Sequence, residues 1–320
     1  PSLDTKTIIR HFGLRDAFPP DVLREASAAP DRLAQPGPRR DFRDRFVFTI
    51  DPTTSRDYDD ALSLETDGAG RPVLGVHIAD VSHFVQPGGA MDREARERGN
   101  SVYLPDLVLP MLPETLSNGV CSLRPDEDRL AFSVLLTVSE HGAVLQAEFC
   151  KSLIRSRRRL TYEQALGVLQ NAPGAPALPA AERETLKRMH QLAQQFRRAR
   201  FAQLALDLDM PEYEVIMGAD GMIADIRRNE NDVSHQLIEE CMVAANEAVD
   251  REISRCAWTL IHRVHEPPTP EKIALLAAQL TDMGFHPGDL SKRPNIKSFL
   301  LSVRGHPLEY DAKLAVLKSL

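Results

Sequence analysis

Residues 45–60 read RFVFTIDPTTSRDYDD, an apolar run that leads directly into a cluster of acidic residues. Aromatic and β-branched residues dominate 45–51, which is the pattern of a β-strand. Four carboxylates follow within ten residues, namely Asp51, Asp57, Asp59 and Asp60. The stretch therefore predicts a strand whose end presents several carboxylates at one place.

The acidic cluster has the chemistry of a site for a hard divalent cation. Like charges this close together raise one another's pKa unless a cation lies among them. Mg²⁺ is typically held by one or two carboxylates plus substrate phosphate, and such a site can activate water for in-line attack on phosphorus. An acidic surface turn is the other interpretation, because Asp favours turns in any sequence. A calcium loop fails on spacing, since counting from Asp57 puts Leu62 at position six and Gly68 at position twelve.

Periodicity along the rest of the chain predicts an α+β fold, with antiparallel hairpins first and a helical half after them. Hairpins are indicated by apolar runs around turn sequences, at 61–65 with 72–81, at 130–138 with 144–149, and at 213–217 with 222–227 across 218–221. Helices are indicated at 20–28, 91–98, 162–169, 182–206, 234–256 and 270–283. Thr161 followed by Gln164 is a capping-box signature for the helix at 162–169.

Composition indicates a soluble globular protein without a membrane partner. The hydrophobic fraction is 42% and the charged fraction 27%, and no run approaches the ~18 apolar residues of a membrane span. The first residues lack the apolar core of a secretory signal. Four widely spaced cysteines with no CxxC pair predict neither a zinc site nor a disulfide framework. We therefore expect a cytoplasmic location.

The charge balance neither indicates nor excludes a nucleic-acid ligand. The formal net charge is −7, whereas phosphate binding usually shows as a basic surplus. Positive charge is local instead, in the runs 151–159 and 197–200. Runs of this size are usually solvated faces, although the first of them is also suited to following a phosphate backbone.

Several ordered blocks of the sequence resemble the RNB family, which comprises exoribonucleases of the ribonuclease II/R type. The acidic stretch has the pattern T-I-D-x5-D-x-D-D. The blocks that follow it in the family's order are VHIADVSH (76–83), RGNSVYLPD (98–106), PMLP (110–113), LSNG (116–119), CSLRP (121–125), LIEECMVAAN (237–246) and RVHEPP (263–268). The resemblance covers about residues 40–320, and several blocks in order are far more specific than any one of them.

The resemblance implies an RNB-type catalytic domain at 41–320. Residues 1–40 are rich in Pro and Ala and lack a sustained apolar period, so we expect a lead-in linker with one short helix there. Asp51 and Asp60 are then expected to bind Mg²⁺, with Mn²⁺ as a possible substitute. Asp57 is expected beside the metal and the RNA 3′ end. Asp59 corresponds to the carboxylate whose loss abolishes hydrolysis.

Two further residues are implied to bind RNA. Tyr103 matches the aromatic residue that stacks on the last bases, a contact worth ~1–3 kcal/mol per base; an isolated Tyr more often fills a core or an interface. Glu240 matches a position in the helix that lines the RNA channel. A solvent-facing helix carboxylate is about as frequent, and the adjacent Glu239 leaves the register open. His77 and His83, six residues apart on one strand pattern, are interpreted as core or surface histidines.

The function implied is that of a monomeric 3′→5′ exoribonuclease, which degrades single-stranded RNA processively to nucleoside 5′-monophosphates. An inactive RNA-binding protein of the same fold is the alternative, and the four intact carboxylates favour the enzyme. An unrelated Mg²⁺ phosphoesterase does not explain the later blocks. The family's catalytic domain continues to an arginine block and is flanked by OB-type modules, neither of which occurs in 1–320. The helical pattern at 313–320 has no stop signal, so we expect a domain that is incomplete at its C-terminus.

Overall fold

The structure is a computed structural model that describes residues 2–203, 205–208, 210, 212–218, 223–229, 231–262, 264 and 267–320. Its strands are β1 (Arg40–Asp41), β2 (Val47–Asp51), β3 (Asp60–Thr66), β4 (Pro72–Ala79), β5 (Val102–Leu104), β6 (Leu107–Leu109), β7 (Asp128–Val138), β8 (Val144–Thr161), β9 (Glu212–Met217) and β10 (Ile223–Asn229). The helices are α1 (Leu3–His11), α2 (Pro20–Ser27), α3 (Ala29–Leu33), α4 (Val81–Phe84), α5 (Ala90–Arg98), α6 (Tyr162–Gln170), α7 (Ala180–Ala202), α8 (Val233–Arg255), α9 (Pro270–Asp282), α10 (Arg293–Ser302) and α11 (Glu309–Ser319), with a π-helical turn at Thr115–Val120.

The central sheet has the strand order β1-β8-β2-β3-β4-β7, and β7 also pairs with β8. The hairpins β3–β4 and β7–β8 are antiparallel, as the sequence predicts. The sequence prediction ended the second of these hairpins at Phe149, whereas β8 continues to Thr161 and pairs in parallel with β1 and β2. The basic run 151–159 is therefore part of a strand. Its buried residues Ser152, Ile154 and Ser156 alternate with the more exposed residues 151, 153, 155 and 157, three of them basic, a period of two that the density of charge concealed.

Two apolar cores cover the two faces of this sheet. On one face Phe48, Leu62 and Leu74 pack with residues of α6, α7 and α8, among them Met189 and Leu237. The other core contains Val22, Ala26, Val47, Leu116 and Ile154, and so joins α2 and the π-helical turn to the sheet. A third cluster joins α9, α10 and α11. The combination of sheet and long helices confirms the α+β prediction.

The helical predictions are confirmed within a few residues. The capping box of α6 is formed, because Gln164 N donates to Thr161 Oγ1 at 3.2 Å and Thr161 N donates to Gln164 Oε1 at 2.9 Å. The N-terminal stretch has more structure than expected, since α1 and α3 accompany the predicted helix α2. His83 lies in α4 and not on the strand of His77, so the two histidines do not share a strand face.

Some of the predicted features fall outside the described residues. These are 219–221 of the third turn, Met222 at the start of its second strand, and Arg263, His265 and Glu266 of the last sequence block. In the part of the chain that is described, no helix is both long and apolar enough to cross a lipid bilayer. The four cysteines are all free thiols.

Candidate active site

The acidic cluster lies at one edge of the central sheet. Asp51 is the last residue of β2 and Asp60 the first residue of β3. These strands are antiparallel neighbours, with Phe48 opposite Leu62, so the end of one lies beside the start of the other. The loop 52–59 connects them and carries Asp57 and Asp59. The topology thus gathers all four predicted carboxylates around one short loop.

Burial and like charge both act on these carboxylates. Burial raises the pKa of Asp60 to about 7, and the charges of Asp59 and Asp51 add to the effect. Burial likewise raises the pKa of Asp51 to about 6, although a 2.5 Å hydrogen bond from Thr49 Oγ1 and the charge of Arg159 oppose it. The pKa of Asp59 is raised by desolvation and then by Asp57. The cluster is therefore short of positive charge at neutral pH.

The donor set fits a divalent cation that is completed by other ligands. Among the residues described, no three His, Cys, Asp or Glu side chains form a ready ligand group. Mg²⁺ does not require one, because it keeps several waters and uses one or two carboxylates with substrate phosphate. Asp51 and Asp60 are two such carboxylates at one place, and a cation between them would offset both the desolvation and the like charges that raise the pKa of Asp60.

The loop that carries Asp57 and Asp59 is held by residues that were not singled out from the sequence. Ser122, which is buried, donates from Oγ to the carbonyl of Arg56 at 2.9 Å and accepts from Tyr58 N at 3.2 Å. Arg159 on β8 donates to the carbonyl of Pro52 at 2.6 Å. The signal for Ser122 was its place in the CSLRP block. Arg159 had only the basic run to mark it.

Tyr103 has the exposure that a stacking residue needs. It lies on β5, opposite Val108 of β6, and 71% of its surface is open to solvent. The alternative of a core tyrosine is therefore wrong. Asp106 at the tip of this hairpin accepts hydrogen bonds from Ser2 N, at 2.6 Å, and from Thr5 Oγ1, which ties the hairpin to the first turn of α1.

Glu240 is buried where α8 packs on α7, beside two arginines. Only 1% of it is exposed, so it is not a solvent-facing carboxylate, and the residue that reaches open space is its neighbour Glu239. Glu240 accepts from Arg200 Nε at 3.1 Å and from Arg197 Nη1 at 3.3 Å. The buried carboxylate thus orients two arginines of α7, and any effect on RNA would act through them.

A cavity of about 640 Å³ opens beside these arginines. Its wall includes Tyr162, Arg197, Arg200, Phe201 and His235. The Tyr162 ring stacks on His235 with centroids 3.8 Å apart and planes within 10°. Burial raises the pKa of Tyr162 to about 12, and the charges of Asp60 and Asp51 contribute. Tyr162 is therefore the link between the cavity and the acidic edge, a place that its sequence pattern, the first residue of a capped helix, does not indicate.

Comparison with known proteins places this architecture in one family. The RNB domain model matches residues 39–320. Ribonuclease R of Thermotoga maritima is 37% identical over 333 residues, which cover 100% of this chain and 46% of that protein. Ribonuclease R of Escherichia coli is 36% identical over 284 residues, covering 88% and 35%. The chain thus spans about half the length, or less, of the curated relatives it matches.

Solved structures show the same relationship. Mycoplasma genitalium RNase R in complex with ribose-methylated single-stranded RNA superposes with a TM-score of 0.90 at 28% identity, over 99% of this chain and 50% of that one. The complex of that protein with double-stranded RNA gives 0.90 at 27%. Yeast Ssd1, a pseudonuclease, gives 0.68 at 19% and shares the fold alone. The family model, the curated relatives and the fold agree, and the chain belongs to the RNB domain family.

Proposed function

We propose that this chain carries the hydrolytic centre of a 3′→5′ exoribonuclease that uses Mg²⁺, with Mn²⁺ as a substitute. The observation that carries the proposal is the pairing of Asp51 and Asp60, two desolvated carboxylates at the junction of β2 and β3, with Asp57 and Asp59 on the loop between them. The relatives named Ribonuclease R support an RNA substrate.

Each carboxylate has its own part in this proposal. Asp51 and Asp60 hold the cation, which when bound supplies positive charge for the phosphate oxygens and for ionisation of water. Asp59, whose pKa is raised by desolvation, accepts the proton of the attacking water at its carboxylate oxygen. Asp57, which accepts a 3.1 Å hydrogen bond from Ser55 Oγ, lies beside the 3′ end of the RNA.

Binding of single-stranded RNA involves the exposed aromatic residue and the arginine wall of the cavity. Tyr103 stacks on a base near the 3′ end, since stacking tolerates any base sequence. Arg197 and Arg200 contact phosphates, and Glu240 orients them for this. Repeated binding and hydrolysis releases nucleoside 5′-monophosphates processively. A monomer in the cytoplasm is the setting that we propose.

The test follows the shortening of 5′-labelled single-stranded RNA in Mg²⁺ and in EDTA. The variants are Asp59→Asn and, as matched control, Asp16→Asn, an exposed carboxylate in the loop after α1. We expect a ladder of products that requires both Mg²⁺ and Asp59 and is unchanged by the control.

A second protein separates an incomplete site from an incorrect proposal. In it, the flanking segments of the Thermotoga maritima relative extend the chain to the full length of that protein. Shortening by the extended protein alone would mean that the hydrolytic centre needs residues beyond these 320. If both proteins bind RNA and neither shortens it, the alternative of an inactive RNA-binding protein replaces the enzyme.

A further inference from the structure

Arg159 occupies a special place relative to the acidic loop. It lies on β8 directly opposite Thr49 of β2, two residues before the end of that strand. Its Nη2 donates to the carbonyl of Pro52 at 2.6 Å and to that of Thr53 at 3.4 Å. The same Pro52 carbonyl accepts from Ser55 N at 3.1 Å. Arg159 therefore braces the turn with which the loop leaves β2.

The same guanidinium reaches the second half of the loop. Its Cζ lies 5.3 Å from the centroid of the Tyr58 ring, a cation–π distance. The backbone of Tyr58 is fixed independently, because its N–H donates to Ser122 Oγ at 3.2 Å and its carbonyl accepts from Leu123 N at 2.7 Å. Arg159 thus connects the first half of the loop to a fixed point in the second half. Asp57 lies between these two contacts.

Packing alone does not favour an arginine at this position. The Nε of Arg159 is buried, and in the described part of the chain it has no hydrogen-bond partner. A buried donor without a partner costs stability, and an apolar side chain of similar length would avoid that cost. The planar guanidinium, in contrast, can donate to the carbonyls of the loop and lie over the Tyr58 ring at the same time. A lysine ammonium cannot do both.

We propose that Arg159 is a positioning residue of the acidic site, which fixes the loop 52–59 and thereby places Asp57 and Asp59 for hydrolysis. The inference rests on the function proposed above, and it concerns a residue that touches the loop backbone and not the substrate. Its positive charge also attracts the Asp51 carboxylate, so that one side chain acts on both ends of the acidic stretch.

The experiment compares Arg159→Met and Arg159→Lys with Arg157→Met. Arg157 is the matched control, because it lies two residues earlier on the same strand and makes a single 2.8 Å hydrogen bond to the carbonyl of Arg43, away from the loop. Hydrogen–deuterium exchange of this chain reports on the loop without requiring activity. We expect exchange at 53–57 to become about tenfold faster in both Arg159 variants, while exchange in β3 and β4 and the Tm of the fold stay near wild type.

Turnover distinguishes positioning from simple support of the fold. Turnover is measured in this chain or, if only the extended protein shortens RNA, in that protein. There Arg159→Met is expected to lower kcat at least about tenfold with KM changed less than about twofold. Arg159→Lys recovers little of the loss, and Arg159→Ala is restored in part by millimolar guanidinium. Arg157→Met stays at the wild-type level in every measurement.

Three results would overturn the proposal. Unchanged hydrogen–deuterium exchange at 53–57 in Arg159→Met would show that the loop keeps its conformation without Arg159. Faster exchange throughout the sheet, with a lowered Tm, would reduce Arg159 to a residue that only supports the fold. A loss confined to KM would place it in RNA binding. Absence of shortening by any protein would defeat the proposed function, while the exchange data would still decide whether Arg159 fixes the loop.

Discussion

Asp51 and Asp60 are neighbours of like charge at the junction of two antiparallel strands. Burial, followed by the charges of Asp59 and Asp51, raises the pKa of Asp60 to about 7. An ionised carboxylate in such surroundings destabilises the fold. The carboxylates of the acidic edge therefore lower the stability of the fold, and such perturbed pKa values are common at functional sites.

Asp60→Asn is expected to stabilise the metal-free chain. The folded-state pKa of Asp60 lies above the ordinary value of 3.8, so at pH 8 the folded state carries a charge that it disfavours. Removing that charge in an isosteric amide should raise the free energy of unfolding by about 1–3 kcal/mol. Urea unfolding at pH 8 without divalent ions measures this, with Asp16→Asn as the exposed control. A destabilised Asp60→Asn variant would contradict the conclusion that ionisation of Asp60 is unfavourable in the folded state.

The stabilisation by Mg²⁺ should depend on pH in a defined direction. The pKa of Asp51 is about 6 and that of Asp60 about 7, so both carboxylates are ionised at pH 8 and protonated at pH 5. Because the cation binds the ionised form, we expect the rise in Tm on adding millimolar Mg²⁺ to be largest at pH 8 and nearly absent at pH 5. Asp60→Asn should show little rise at any pH. A rise that is equal at pH 5 and pH 8 would place the cation elsewhere.

His77 should make the fold less stable as pH falls, whereas Asp60 makes the metal-free fold less stable as pH rises. It is fully buried between the hydroxyl oxygens of Ser63 and Ser133, at 3.0 and 2.6 Å, and burial lowers its pKa to about 3. The unfolded state, with the ordinary value of 6.5, therefore binds a proton that the folded state excludes. Stability is lost as pH falls from about 6.5 towards 3, by up to ~1.4 kcal/mol per pH unit.

The variant His77→Gln isolates this effect. The wild type should be more stable than the variant at pH 7, because the serine partners are matched to the imidazole. That advantage should shrink by about 1–2 kcal/mol between pH 7 and pH 5. Urea midpoints of both proteins at several pH values provide the comparison. A constant difference across the range would show that the imidazole takes up a proton in the folded state as readily as in the unfolded state.

Arg200 should contribute one phosphate contact to RNA binding. Arg200→Met is expected to weaken binding of single-stranded RNA and to reduce the slope of log Kd against log salt by about one. Arg198 is the matched control, since it is exposed two residues earlier on α7, and Arg198→Met should change neither quantity comparably. Binding is measured by fluorescence anisotropy in EDTA, so that hydrolysis does not interfere. Equal effects of the two substitutions would indicate diffuse attraction and not a site.

The local features of the site were predictable from sequence because they depend on neighbouring residues. The change from apolar residues to carboxylates at Asp51 marks the end of β2, and the spacing to Asp60 brings the chain back into β3. The capping box at Thr161 is equally local. Chemistry of this kind appears in a sequence as a pattern of a few residues.

Relationships between distant residues were not predictable in the same way. Arg159 and Pro52 are separated by 107 positions, and only the parallel pairing of β8 with β2 brings them together. Glu240 is buried because Arg197 and Arg200, on another helix, compensate its charge. A helical pattern containing two adjacent glutamates does not show which of them has such partners.

The hydrolytic role of the acidic edge is tested by the release of the last nucleotide from single-stranded RNA labelled at its 3′-terminal phosphodiester. We expect the label to appear as nucleoside 5′-monophosphate in Mg²⁺ and not in EDTA. We also expect Asp59→Asn to lower the rate of release by at least about a hundredfold while RNA affinity and Tm stay near wild type. Release of label by Asp59→Asn at the wild-type rate, or release that is unaffected by EDTA, would contradict the assignment of the acidic edge as the hydrolytic centre.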